Sequence, residues 1–165
     1  MSVFTDIVRT VGVGGNGNDP LKNAAVILLT YNRDQIIFLR NTPSGKYSVP
    51  GGKINTGELP LNAMVREFTE EVGDSFPPIT ITPADYLDYN GHTRIYYGIL
   101  PHTSEYKITF RDNNQKPRRG GNEKSSMRFL NIHDIIYTMR DDQFEKKTRQ
   151  STLATLEKMN GEHMI

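Results

Sequence analysis

Residues 52–74, GKINTGELPLNAMVREFTEEVGD, carry the pattern from which the rest of the chain is read. At about 100° per residue, Leu61, Met64, Val65, Phe68 and Val72 fall on one apolar stripe. Glu67, Glu70 and Glu71 fall together on a different face, at the i, i+3, i+4 spacing of helical neighbours. The spacing predicts a helix that buries one side and gathers three carboxylates on the other. Pro60 suits its first turn, where a missing N–H costs nothing. Gly73 suits a left-handed helix end. Ahead of the helix stand Glu58 and, further back, Gly51 and Gly52 after Pro50.

Three like charges at this spacing repel by roughly a few tenths of a kcal/mol per pair. A cation among them removes the repulsion. All-oxygen carboxylate sites suit Mg²⁺ or Mn²⁺, which keep part of their water and grip substrate phosphates. Taken alone, the three glutamates also fit the solvated face of an ordinary amphipathic helix.

The full spacing is more specific. From Gly52 the chain runs five residues to Glu58 and seven more to Arg66-Glu67, followed by Phe68, Thr69, Glu70-Glu71, Val72 and Gly73. This resembles the box of the Nudix hydrolases, GX5EX7REUXEEXGU with U a bulky apolar residue, in every fixed position. Asp74 departs from it where the last apolar residue belongs, a change that concerns packing at the helix exit. Residues 46–52, KYSVPGG, resemble the family's lead-in, with Tyr47 where tryptophan is common. Asn55 replaces a frequent acidic residue.

The resemblance implies an α/β fold, an α/β/α sandwich with a mixed sheet between helices, and one domain spanning residues 1–165. It implies hydrolysis of a pyrophosphate bond in a nucleoside diphosphate linked to another group. Carried over residue by residue, Glu67, Glu70 and Glu71 are the metal ligands, assisted by the backbone carbonyl of Gly51 or Gly52. Glu58 is a supporting ligand or lies just behind the ligands. Arg66 orients the cluster by an ion pair, unless it makes only a plain surface salt bridge. Divalent ions neutralise phosphate oxygens and make a water acidic enough for in-line attack on phosphorus. The carboxylate that accepts that water's proton is Glu67 or Glu123, a loop glutamate six residues before Phe129 and also a candidate ligand.

The remaining composition is neutral on partners. Twenty basic and nineteen acidic residues leave a formal charge of +1, giving no sign of a nucleic-acid or membrane surface. With no cysteine, disulfides, thiolate chemistry and cysteine-ligated zinc are excluded. No signal segment or long apolar run appears, so a cytoplasmic protein without membrane contact is expected. The four histidines, at 92, 102, 133 and 163, lack metal-ligand spacing. Gly12, Gly14 and Gly17 match GxGxxG, but the following Asn18-Asp19-Pro20 is turn chemistry, and a loop is expected.

Along the chain, residues 24–30 (AAVILLT) suit a central strand and residues 35–39 (QIIFL) its hairpin partner, turning through 31–34. Arg40 ends that strand. An edge strand is expected within 1–11, and further strands at 79–82, 86–89, 94–100, 106–110 and 127–130. Helices are expected at 131–139 and 143–159. Residues 111–124, with Lys116, Arg118 and Arg119, read as a solvated loop or as an arm for phosphates. Tyr89, Tyr96 and Tyr97 are core residues or stack on a base.

The expected substrate is a (deoxy)nucleoside triphosphate or related nucleotide. The alternatives are capped RNA, a dinucleoside polyphosphate or an inositol pyrophosphate. A reading of another class is a catalytically idle Nudix-like module that binds a nucleotide or a protein. Oligomeric state is not encoded in any feature above.

Overall fold

A computed structural model of the chain describes residues 21–72, 79, 81–100 and 124–165. Its centre is β1 (Asn23–Leu29), NAAVILL, in which the residues from Ala24 onward are buried. Alternate side chains go to opposite layers. Ala24, Val26 and Leu28 enter one core, and Ala25, Ile27 and Leu29 enter the other. A strand covered on both faces needs this continuous apolar run rather than alternation.

The sheet is mixed. β1 runs parallel to β6 (Thr93–Ile99), which is antiparallel to β5 (Tyr86–Tyr89). β2 (Gln35–Asn41) is antiparallel to β7 (Lys124–Asn131). The expected hairpin forms: Arg33 takes φ 60°, and Thr30 Oγ1 donates to Asp34 Oδ1 at 2.7 Å. β1 and β2 pair through Leu29 and Ile36 beside this turn and then splay. The gap holds two short strands, β3 (Tyr47–Ser48) along β2 and β4 (Gly51–Lys53) along β1. That wedge brings the two glycines ahead of the predicted helix into the middle of the sheet.

The helix, α1, spans Pro60–Val72 and starts at the predicted proline. Its stripe is buried as expected: Leu61 is 1% exposed, Val65 8%, and Met64, Phe68 and Val72 are sealed. Each such side chain stabilises the layer by about 2 kcal/mol. α1 lies on β1 and β4. The opposite face is covered by α2 (Ile135–Thr138) and α3 (Lys146–Gly161), with Phe144, Leu156 and Met159 in that core. The layers are helix, sheet, helix.

Several expectations change. Ile79 and Ile81 are buried, but the described residues of 79–82 form no strand. The helix expected over 131–139 is a 3-10 turn, Ile132–Asp134, followed by the single turn α2. Gln143–Glu145 precede α3 instead of opening it, because Tyr47 pairs with them: Tyr47 N donates to Gln143 O at 2.8 Å and Glu145 N to Tyr47 O at 3.0 Å. Tyr96 and Tyr97 are core residues on opposite faces, and partly buried Tyr89 donates to Gln150 Oε1 at 3.1 Å. The readings for residues 1–20, Gly73, Asp74, 106–110 and 111–123, Glu123 included, lie outside the described residues. No helix among the described residues is long and apolar enough to cross a membrane.

Candidate active site

The site begins with β4 lying against β1. Gly51 has φ 153°, and a Cβ there would fall 2.5 Å from Ala24 O and 2.6 Å from Ala25 Cα. Glycine is therefore required for the close approach, and the small Ala24-Ala25 pair is its counterpart. The Gly51 N–H donates to Glu71 Oε1 at 2.8 Å. Glu71 is 2% exposed; it lies under α1 rather than on the open acid face. Gly52 does a different job. A Cβ there would fall 2.3 Å from Glu67 Cδ, so the Glu67 carboxyl fills the space that a missing side chain leaves.

Arg66 ties the acids together. Its Nε donates to Glu58 Oε2 at 2.9 Å and its Nη2 to Glu58 Oε1 at 3.0 Å, a bidentate pair. Nη2 also donates to Lys53 O at 2.9 Å. Nη1 donates to Glu67 Oε1 at 2.9 Å and lies 3.6 Å from Glu70 Oε1. The hydrogen bond to Arg66 holds the Glu58 carboxyl below its usual range. Hydrogen-bonded Glu58 in turn pushes the Arg66 guanidinium above its own. Glu58 is fixed locally as well: the Asn55 N–H donates to Glu58 Oε1 at 3.0 Å and the Glu58 N–H to Asn55 O at 3.0 Å. Asn55 enters through its backbone, so an amide in place of an acid leaves this loop closed.

The predicted residues thus separate into groups. Glu67 and Glu70 flank one guanidinium nitrogen, Glu58 takes the other edge, and Glu71 holds the Gly51 amide. Among the described residues no three His, Cys, Asp or Glu side chains gather closely enough to enclose a metal ion. Two neighbouring carboxylates do suit Mg²⁺, which is bound by one or two carboxylates, its own water and substrate phosphates. The donors are all hard oxygens, and the missing side chain at Gly52 lets the Glu67 carboxyl sit against the β4 backbone. Lys53, whose carbonyl is an anchor for Arg66, carried no signal in the spacing. Arg40 turns back to close its own loop, Nε donating to Gly45 O at 3.0 Å. Tyr47 packs on Phe144, ring centroids 5.5 Å apart.

The glycine wedge, the carboxylates and the arginine hub sit inside a match to the NUDIX domain model over residues 20–152. The chain belongs to the NUDIX family. Its mixed sheet between helices is the Nudix sandwich. An RNA pyrophosphohydrolase of Ruthia magnifica subsp. Calyptogena magnifica is 34% identical over 71 residues, covering 39% of this NUDIX chain and 40% of that one. The match therefore spans less than half of that relative's length. A mutT/nudix family protein of Listeria innocua has a TM-score of 0.53 at 17% identity, covering 86% of this chain and 94% of its own. The Ap4A hydrolase of C. elegans gives 0.51 at 15% identity, with coverages of 86% and 96%. At these identities the two structures share the fold with this chain.

Proposed function

We propose that the chain hydrolyses, with Mg²⁺ or Mn²⁺, a pyrophosphate bond in a nucleoside diphosphate linked to another group, acting first on (deoxy)nucleoside triphosphates. The observation that carries this reading is the pair Glu67 and Glu70 flanking one nitrogen of Arg66, with the Glu67 carboxyl packed against Gly52, in a NUDIX chain. Glu67 and Glu70 would hold the cation, with a Gly51 or Gly52 carbonyl beside them. When bound, it supplies charge neutralisation on phosphate oxygens and acidifies the attacking water.

The chain's own contributions are positional. Arg66 orients Glu67 ahead of cation binding and locks the Glu58 loop. Glu71 fixes the Gly51 peptide and so the direction of its neighbours' carbonyls, and it stands as a further ligand candidate. Glu67 or Glu123 takes the water's proton. Phosphate and pyrophosphate release over a panel of nucleotides, nucleotide sugars, dinucleoside polyphosphates and 5′-triphosphorylated or capped RNA tests this. The expected result is Mg²⁺-dependent turnover that Glu70→Gln lowers at least about 100-fold while the melting temperature holds. Full activity in Glu70→Gln, or none in the wild type on any substrate, favours the binding-module reading.

A second reading is supported by the similarity to an RNA pyrophosphohydrolase: the substrate is the 5′ end of an RNA. It predicts a kcat/KM for 5′-triphosphorylated RNA well above that for the free nucleoside triphosphate. Equal values contradict it.

A further inference from the structure

We infer that Arg66 is a two-edged counter-ion, anchored for good to Glu58 by one edge and holding, with Nη1, the place that a divalent cation takes between Glu67 and Glu70. The inference rests on the metal-dependent reading above and goes beyond it, because it assigns to this arginine a contact that metal binding breaks.

A guanidinium has five N–H donors. On the anchored edge all three are used: Nε on Glu58 Oε2, and Nη2 on Glu58 Oε1 and on Lys53 O. The pair is bidentate and the Lys53 carbonyl adds a third bond, so this edge holds. The Nη1 side is different. It makes one hydrogen bond, to Glu67 at 2.9 Å, where the acid is 16% exposed, and a looser ion contact to Glu70 at 3.6 Å, where the acid is 56% exposed. The Glu70 contact is of the exposed kind that opens readily, and the Glu67 bond is a single one.

Glu67 and Glu70 stand one helical turn apart and repel when both are charged. Nη1 relieves that repulsion while the carboxylates carry no metal. A cation seated between the same two oxygens does the same work with twice the charge, and Nη1 then has no role there. Because the other edge stays on Glu58, the displaced arginine remains close by. Its residual repulsion lowers the affinity for the cation. An arginine that only orients Glu67 has the opposite signature: its Glu67 bond persists with metal bound, and its loss loosens the metal.

The test uses the full chain labelled with ¹⁵N-arginine and titrated with Mg²⁺, the Arg66 signals being assigned by their loss in Arg66→Lys. The expected result is a persistent, exchange-protected Nε–H alongside faster exchange and a shifted resonance at Nη1. In parallel, Mn²⁺ affinity is measured for wild type and Arg66→Gln. Removing the competitor should tighten binding by about two- to fivefold, the size of one partly exposed ion pair. Mg²⁺ binding with Nη1 unchanged, or with Nε released together with Nη1, overturns the inference and leaves the metal reading standing. Weaker Mn²⁺ binding by Arg66→Gln overturns it in the same way. No saturable binding by the wild type overturns both. Should Arg66→Gln fail to fold, the wild-type titration decides alone.

Discussion

Gly51 and Gly52 are neighbours with opposite sensitivities. At Gly51 an added Cβ meets backbone of β1, in a conformation with φ 153° that other residues rarely adopt. Gly51→Ala is therefore predicted to cost about 3 kcal/mol of stability, read as a drop in the urea midpoint. At Gly52 the added Cβ meets the end of the Glu67 side chain, which is able to swing away. Gly52→Ala should keep nearly all the stability and lose catalysis by about 100-fold, because a misplaced carboxylate spoils the reacting geometry. Equal stability losses in the two variants contradict this division of labour. These glycines, with Arg66, Glu67 and Glu70, stand out in the sequence through the resemblance to the Nudix box rather than through spacing alone. The position of Glu71 does not. On the helical wheel it lies about 20° from Met64, at the border of the apolar stripe, where spacing does not separate the core from the open acid face. The Gly51 N–H that it meets comes from twenty residues away, a pairing that no local pattern reveals.

At the scale of elements, α1 is read from sequence because its signals agree: a proline at the start, a stripe at helical period, acids off the stripe. Its central anchor is Phe68, sealed among Leu61, Met64 and strand residues. Phe68→Ala should cost about 4 kcal/mol and carry the glutamates with it, so thermal unfolding and turnover should fall together. A stable Phe68→Ala protein would contradict the packing described. β3 and β4 escaped notice because two and three residues contain no period to detect. They exist where β1 and β2 splay, which is a property of the sheet rather than of the segment. α3 shows the converse. Its buried face contains Thr148, Ser151, Thr152 and Thr155, which read as polar in sequence. Two of these hydroxyls donate back to the helix, Ser151 Oγ to Thr148 O at 3.3 Å and Thr155 Oγ1 to Ser151 O at 2.8 Å. The β5–β6 hairpin was also available in advance: Asn90 and Gly91 take φ 53° and 69°, the signature of an Asn-Gly turn.

For the whole molecule, the outer layer is fastened to the sheet by a buried phenol and a lysine as well as by apolar contact. Tyr97 Oη donates to Glu162 Oε2 at 2.6 Å, and Lys158 Nζ donates to the Tyr86 carbonyl. Burial pushes the Tyr96 hydroxyl up to about 12 and raises that of Tyr97 as well, where the Glu162 carboxylate adds to the effect. Unfolded tyrosine ionises near pH 10, so both groups bind protons more tightly in the fold. Their contribution is complete below about pH 10 and is lost as pH rises toward about 12. The denaturant midpoint should accordingly fall between about pH 10 and pH 12, with part of the tyrosinate absorbance appearing only on unfolding; a flat midpoint contradicts the burial. The same layered frame holds α1 over β4 and places Glu67 and Glu70 side by side. The most direct test of that placement is anomalous scattering from crystals soaked in Mn²⁺. A peak between the Glu67 and Glu70 carboxylates, beside Gly52, is the predicted result, and saturating Mn²⁺ with no peak there contradicts the account.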